Sequence, residues 1–279
     1  MKKQRIMKAI TAVILLAIML FMLAPLWWAI CLSFDETAIF VLPRFSLLPH
    51  KPSLFNYKLA NATADLARNF ANTIFISIVN TVTSVFFALC CGYAFAKGRF
   101  HGKRLWYFVF LSVMMLPFEA RLIPLFMQYK SWGTLNTYWP LILGNFCYAY
   151  GIFFARNNIA AIPDSLREAA LIDGAGEWKI FLTIIVPLSK PLIASLSILQ
   201  IISNWNSYLW PLVILRDRSM QLISNAISLI NVTGIAGVSG EGYGPKMAVA
   251  VIGSVPLIVM FLFLQKYIVQ SVALSGIKQ

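Results

Sequence analysis

The residues best suited to act on another molecule lie in a polar segment, 158–190, between two apolar runs. Ser165 and Glu168 have the spacing of a capping box, in which a hydroxyl and a carboxylate satisfy the free N–H groups at a helix start. A short helix is therefore predicted to run to about Ile172. Asp173-Gly174 then supplies a stop and a turn, because glycine tolerates the left-handed conformation that follows a helix.

The same segment has the features of a contact surface. A second helix is predicted at roughly Glu177–Val186, and Pro187 should interrupt it. A first helix of about eight residues is not stable alone in water, so it needs a surface to pack on. Ala169 and Ala170 present almost no side chain and would let a partner approach the backbone closely. A simple capped connector between two apolar runs remains the alternative.

Two opposite charges interrupt another apolar run. Glu119 and Arg121 lie within residues 105–128, and charges at such positions usually face protein or water because they are costly in lipid. They are about 15 residues from the inner end of the run, roughly 22 Å by helical rise, which predicts a position toward the outer leaflet. Being two residues apart, they should have separate partners. They either line a substrate path or serve as an anchor or interhelical ion pair.

A third polar group lies near the end of residues 191–214. It consists of Asn204, Trp205, Asn206 and Tyr208. Amides and aromatic rings suit hydroxyl-rich ligands through hydrogen bonds and stacking. The same amides often only join helices inside a membrane, so both interpretations stay open.

Several other kinds of chemistry are excluded. The four cysteines and two histidines show no metal-ligand spacing, which argues against a metal site. No Gly-x-x-x-x-Gly-Lys-Ser/Thr sequence is present, so the chain has no phosphate-binding loop of its own. The net charge of +13 falls in short clusters between apolar runs, which favours a role in membrane orientation over nucleic-acid binding. No catalytic residue is predicted, and the chain is not expected to be an enzyme.

The elements that position these residues are membrane helices. Hydrophobic residues make up 59% of the 279 residues and charged residues 12%, against about 25% charged in soluble proteins. A helix needs roughly 20 apolar residues to cross a bilayer. The sequence therefore predicts an all-α polytopic membrane protein, a single transmembrane domain over residues 1–279. Its six predicted spans are about 9–33, 70–96, 105–128, 138–157, 191–214 and 247–268.

The distribution of basic residues predicts the orientation. Residues 97–104 carry four basic residues and no acid, which is typical of a cytoplasmic loop. Both termini and residues 158–190 are then cytoplasmic. Residues 34–69 and 215–246 become long outer loops that can contact an extracytoplasmic partner.

The loop sequence resembles a known family. Its pattern is Glu-Ala-Ala, three residues, Gly, nine residues, Ile, one residue, Leu and Pro, which marks the permease subunits of bacterial ABC importers. The positions that match are Glu168, Ala169, Ala170, Gly174, Ile184 and Pro187. Val186 departs mildly from the usual leucine. The flanking Ile162-Pro163 and Asp173-Gly174-Ala175 resemble the carbohydrate branch, the relatives of the maltose permease's smaller subunit.

The resemblance implies a transport function at the bacterial inner membrane. The loop would form a coupling helix between spans four and five, seated in a cleft on a cytoplasmic ATPase. The matching positions are Glu168, Ala169, Ala170, Asp173, Gly174, Ala175 and Pro187. Implied partners are a second permease, an ATPase dimer that uses ATP and Mg, and an extracytoplasmic solute-binding protein.

The implied substrate is a sugar or oligosaccharide, with two alternatives. Pro-x-Glu-x-Arg around Arg121 and the Trp-Asn-x-Tyr-Leu-Trp-Pro stretch also resemble glycerol-3-phosphate permeases, and an arginine suits a phosphate ester. A secondary transporter or channel is the other alternative. It predicts ion-coupling charges in several spans, of which only Glu119 and Arg121 qualify.

Overall fold

The computed structural model describes residues 2–39, 45–230 and 242–276, most of which are helical. Parts of the two predicted outer loops, residues 40–44 and 231–241, lie outside these ranges. The α-helices are α1 Lys2–Phe34, α2 Phe55–Ala64, α3 Leu66–Lys97, α4 Lys103–Met114, α5 Phe118–Ser131, α6 Trp139–Leu143, α7 Ala149–Ala160, α8 Asp164–Ile172, α9 Glu177–Ile180, α10 Val186–Leu188, α11 Lys190–Trp205, α12 Leu209–Ile214, α13 Ile223–Leu229 and α14 Tyr243–Gly276. A π-helical turn, Phe181–Ile185, joins α9 to α10, and 3₁₀ turns lie at Glu36–Ile39 and Arg218–Met220.

Candidate membrane spans account for much of this helix. Three segments are long and apolar enough to cross a bilayer, namely Ile6–Phe34, Leu66–Lys97 and Tyr243–Leu262. Two further pairs qualify only as broken spans: α4 with α5, bent by 102°, and Glu177–Leu188 with α11, bent by 77°. Residues 138–157 are divided between α6 and α7. The described residues thus hold three to five candidate spans by length and composition, and a count of six stays a prediction.

One compact unit comprises residues 1–69 and 223–256. At the end of α1, the fully buried Asn56 side chain donates to backbone carbonyls that include that of Asp35, at 2.8 Å. The Asp35 carboxylate accepts four hydrogen bonds, two from Thr37 and two from His50. Burial opposes its ionisation, but these hydrogen bonds outweigh burial and lower the pKa of Asp35 to about 2. The chain leaving α1 is therefore fixed by polar contacts.

The other unit comprises residues 70–222 and 257–279. Within it, small residues let α3 and α7 approach closely, as is common between membrane helices. A Cβ atom added at Gly92 would lie 2.5 Å from the Cβ of Ala155, and one added at Gly151 would lie 3.0 Å from the Cβ of Ala88. Small residues four apart on α3 therefore face small residues four apart on α7.

An apolar core connects this helix pair to the 158–190 segment. Its buried members come from α3, α7, α9, the π-helical turn and α11. They are Val85, Leu89, Ala155, Ile159, Ile180, Phe181, Ile185 and Leu196. Burial of these side chains anchors the segment that follows α8 to two long helices.

Candidate functional site

Helix α8 is the predicted short helix of the 158–190 loop. It begins at Asp164, directly after Pro163, whose backbone angles of −57° and 135° place it at the N-cap position. The predicted capping box is wrong, because Ser165 lies inside the first turn and no side chain caps the helix. Instead, Asp164 places a negative charge in the first turn, where the helix dipole favours one.

The end of α8 has the geometry of a Schellman motif. The Gly174 N–H donates to the Leu171 carbonyl at 3.0 Å, and the Ala175 N–H donates to the Ala170 carbonyl at 2.9 Å. Gly174 has a φ of +77°, the left-handed conformation that this motif requires. The predicted turn at Asp173-Gly174 is therefore present, and it ends the helix at Ile172.

The two faces of α8 differ sharply. Ala170 and Ala175 pack against the apolar core described above. Glu168, Ala169 and Asp173 are exposed. The two alanines expected to act alike therefore have different roles: Ala170 seats the helix on its own protein, and Ala169 lies on the outer face.

The tip of this loop is apolar and uncovered. Ile172 is 86% exposed, and Trp178, just after the turn, is 65% exposed. Large apolar side chains this exposed on either side of one turn are typical of a surface that another protein covers.

An ion pair ties the start of α8 to the end of α3. The Lys97 ammonium lies 2.7 Å from the Asp164 carboxylate and also donates to the Ile162 carbonyl at 2.6 Å. The hydrogen bond from Lys97, together with its charge, lowers the pKa of Asp164 below its ordinary value. The Lys97 side chain is only 7% exposed, so this cation depends on the partners it has.

A second polar contact ties the middle of α8 to α9 and α3. The Nε and Nη2 atoms of Arg167 both donate to the Glu177 carboxylate. The Tyr93 hydroxyl donates to the same carboxylate at 2.5 Å. Sequence reasoning missed these residues, because Tyr93 and Glu177 are far apart in the chain. The ten-residue separation of Arg167 and Glu177 across a turn was the only available signal.

Beyond α9 the chain turns into the predicted fifth span. Pro187 does not interrupt the helix as expected; it is exposed and lies within the short helix α10, near its start. The break comes two residues later, at Ser189, where the helical path bends by 77°.

The structure alters the setting of Glu119 and Arg121. Both lie in the first turns of α5, after the 102° bend that separates α5 from α4. Pro117 caps α5 in an extended conformation. The depth of roughly 22 Å assumed a straight helix, so the bend removes the basis of that estimate, and a position toward the outer leaflet stays a prediction. Glu119 is exposed, and the guanidinium of Arg121 lies 6.0 Å from the centre of the Phe118 ring.

The four polar residues near the end of the fifth predicted span divide into two kinds. Asn204 and Trp205 are both 7% exposed. Asn204 accepts a hydrogen bond from Asn80 of α3 at 3.1 Å, so it joins two helices. Asn206 and Tyr208 are exposed, in the break before α12. No group of residues in the described part of the chain has the make-up of a metal site.

Comparison with known proteins places this geometry in a family. The model for the binding-protein-dependent transport system inner membrane component matches residues 84–274. The arabinooligosaccharides transport system permease protein AraQ of Halalkalibacterium halodurans is 34% identical over 75% of this chain and 73% of its own length. The trehalose/maltose transport system permease protein MalG of Thermococcus litoralis is 31% identical over 99% and 97%.

A solved structure agrees in fold over nearly the whole length. It is the crystal structure of a bacterial ABC transporter involved in the import of the acidic polysaccharide alginate. A chain of that structure matches with a TM-score of 0.82 and 29% identity, covering 96% of this chain and 98% of its own length. The chain therefore belongs to the family of inner membrane components of binding-protein-dependent transport systems, and it is a permease subunit of an ABC importer.

Proposed function

We propose that this permease carries a sugar or oligosaccharide that a solute-binding protein delivers. The names of the relatives support this substrate class, since they specify arabinooligosaccharides, trehalose or maltose, and alginate. The alternative, glycerol-3-phosphate or a similar phosphate ester, requires a cation on the path, and Arg121 is the candidate. Ligand specificity of the binding protein, measured by calorimetry with sugars and with glycerol-3-phosphate, separates the two.

The complete importer has three further components in this proposal. A second permease completes the translocation path, an ATPase dimer binds ATP and Mg on the cytoplasmic side, and the binding protein docks outside. The apolar side chains along α1, from Ile6 to Trp27, are largely exposed and thus available to lipid or to the second permease. This chain supplies no catalytic residue.

The coupling contact is assigned to α8. The observation that carries it is the combination of an inner face of α8 seated on the core with an exposed outer face and an uncovered apolar tip at Ile172. Glu168, Ala169 and Asp173 would contact the ATPase, while Gly174 shapes the turn. Ala170, Ala175 and Pro187 would position this surface from behind.

The topology follows from the same assignment. The three unbroken candidate spans give three crossings, and each of the two bent pairs gives one more. If α6 and α7 together form the fourth span, the total is six. The 77° bend at Ser189 would then turn the chain from the cytoplasmic surface into the fifth span. Both termini and α8 lie in the cytoplasm in this arrangement. The two long outer loops, 34–69 and 215–246, face the binding protein.

The substrate path is assigned to the polar residues of α5 and of the break after α11. In this conformation the exposed Glu119, Asn206 and Tyr208 are accessible to a ligand. Asn204 and Trp205 would first have to separate from their neighbours. Arg121 borders the path beside Phe118. Uptake that is unaffected by Arg121→Ala would exclude the phosphate-ester alternative.

Affinity purification of the tagged permease tests the coupling assignment. The Glu168 side chain makes no hydrogen bond within the part of the chain that the structure describes and does not cap α8, so Glu168→Ala should leave the permease folded. We expect this variant to lose ATPase co-purification or ATP-dependent uptake. Ser165→Ala, an exposed position on the same helix, is the matched control.

Two results would contradict the proposal. One is a wild-type permease that co-purifies with no ATPase when expressed with its companion proteins. The other is substrate uptake that persists after ATP depletion, as a secondary transporter would show.

A further inference from the structure

Helix α8 is attached to α3 by polar contacts at two points. Lys97 holds Asp164 at the start of the helix, and Tyr93 holds Glu177, which in turn pairs with Arg167 in the middle of the helix. Tyr93 and Lys97 are four residues apart, so both contacts arise from one face of the last turns of α3.

The apolar grip of α8 is small by comparison. Of the residues in α8 and the turn that follows, only Ala170 and Ala175 pack against the apolar core, and alanine buries little surface. A nine-residue helix cannot keep its position by propensity alone. Its orientation relative to α3 therefore depends mainly on the two polar contacts.

The contact through Glu177 has a geometry that resists rotation. The planar guanidinium of Arg167 engages the carboxylate with two nitrogens, which fixes direction as well as distance. The Tyr93 hydroxyl, at 2.5 Å, adds a third hydrogen bond from a different helix. An isolated exposed ion pair contributes little to stability. Here, however, the Arg167 side chain is only 24% exposed, and the Glu177 carboxylate of α9 is bound from both α8 and α3.

We propose that Arg167, Glu177 and Tyr93 form a coupling latch through which movement of α8 is passed to the inner end of α3. They are positioning residues that contact neither substrate nor nucleotide. This inference rests on the proposed ATPase contact of α8. It assigns the transmission of movement to residues outside the Glu-Ala-Ala sequence.

Hydrogen exchange measured by mass spectrometry on the intact importer tests the latch without a known substrate. The probe is ATP with vanadate, and the two regions compared are α8 and residues 85–97 of α3. In the wild type, trapping should change exchange in both regions. In Arg167→Ala, α8 should still respond, while the response of α3 should fall by about fivefold or more, the lower end of ordinary coupling between sites.

Three further variants make the test specific. The double variant Arg167→Glu with Glu177→Arg restores the ion pair with its charges exchanged. The Tyr93 hydroxyl can then accept a hydrogen bond from the guanidinium at position 177, so the α3 response should recover. Tyr93→Phe removes only the hydroxyl and should weaken it partly. Lys179→Ala removes a cation of α9 that makes no ion pair among the described residues, and it should behave as the wild type.

The outcomes separate this inference from the proposed function. An α8 region that does not respond to ATP and vanadate in the wild type would refute the ATPase contact itself. If α8 responds and α3 of Arg167→Ala responds as strongly as in the wild type, the latch is refuted. A double variant that binds the ATPase but stays as unresponsive as Arg167→Ala would also refute it.

Discussion

Replacing Gly174 by alanine should open the turn that ends α8. Gly174 has a φ of +77°, and no atom lies within 4 Å of the position that a Cβ would occupy. The cost is therefore backbone strain alone, about 1–2 kcal/mol for a residue with a side chain in the left-handed region. That energy corresponds to a roughly 5- to 30-fold shift in the population of the closed turn.

The assay is amide hydrogen exchange at the two hydrogen bonds of the turn. The Gly174 and Ala175 amides donate to Leu171 and Ala170, and in Gly174→Ala both should exchange about 5- to 30-fold faster. Gly176→Ala is the matched control, because its Cβ position is equally open but its φ is −72°. It should leave both rates nearly unchanged.

The reasoning also predicts a partial rescue. Asparagine tolerates the left-handed conformation better than alanine does, so Gly174→Asn should exchange at a rate between those of the wild type and Gly174→Ala. Equal effects of Gly174→Ala and Gly176→Ala would refute the strain argument. If the two amides exchange as fast in Gly174→Asn as in Gly174→Ala, the presence of any side chain at this position, and not backbone strain, opens the turn.

Three further predictions concern other parts of the molecule. The Asp35 pKa of about 2 lies below the ordinary 3.8, so its stabilisation, about 2 kcal/mol, is complete above about pH 5 and is lost as the pH falls toward 2. The unfolding free energy measured from about pH 3 to 7 should therefore fall at low pH, and Asp35→Asn should reduce that fall. Gly92→Ala forces α3 from α7 and should cost about 1–3 kcal/mol of unfolding free energy, whereas Gly253→Ala, with 3.6 Å to its nearest atom, should not. Asn80→Ala leaves the buried Asn204 amide without its donor and should cost about 1 kcal/mol, measured as a lower thermal midpoint in detergent.

The sequence alone predicted α8 well because its signals are local. Pro163 before the helix and Gly174 after it act through their own backbone preferences, so the helix lies close to where those residues place it. The capping box failed because Pro163 already occupies the N-cap position, which puts Ser165 two residues too late to cap.

The features that sequence reasoning could not predict depend on distant contacts. Asn204 was left open between ligand binding and helix joining, and only its 3.1 Å approach to Asn80 distinguishes the two in this conformation. The bend before Glu119 was missed although Pro117 signals a break. A proline in an apolar run is compatible with a small kink as well as with a 102° turn, and packing decides between them.

Because of the π-helical turn at Phe181–Ile185, the number of residues between Gly174 and Pro187 determines which way the side chains before the turn point. Such a turn holds one more residue than an α-helical one, and removing a residue would rotate all that precedes it by roughly 100°. Glu177 would then turn away from Tyr93, although every side chain of the latch would still be present. Alignments of related permeases that keep this turn should therefore contain substitutions, but no insertions or deletions, between Gly174 and Pro187.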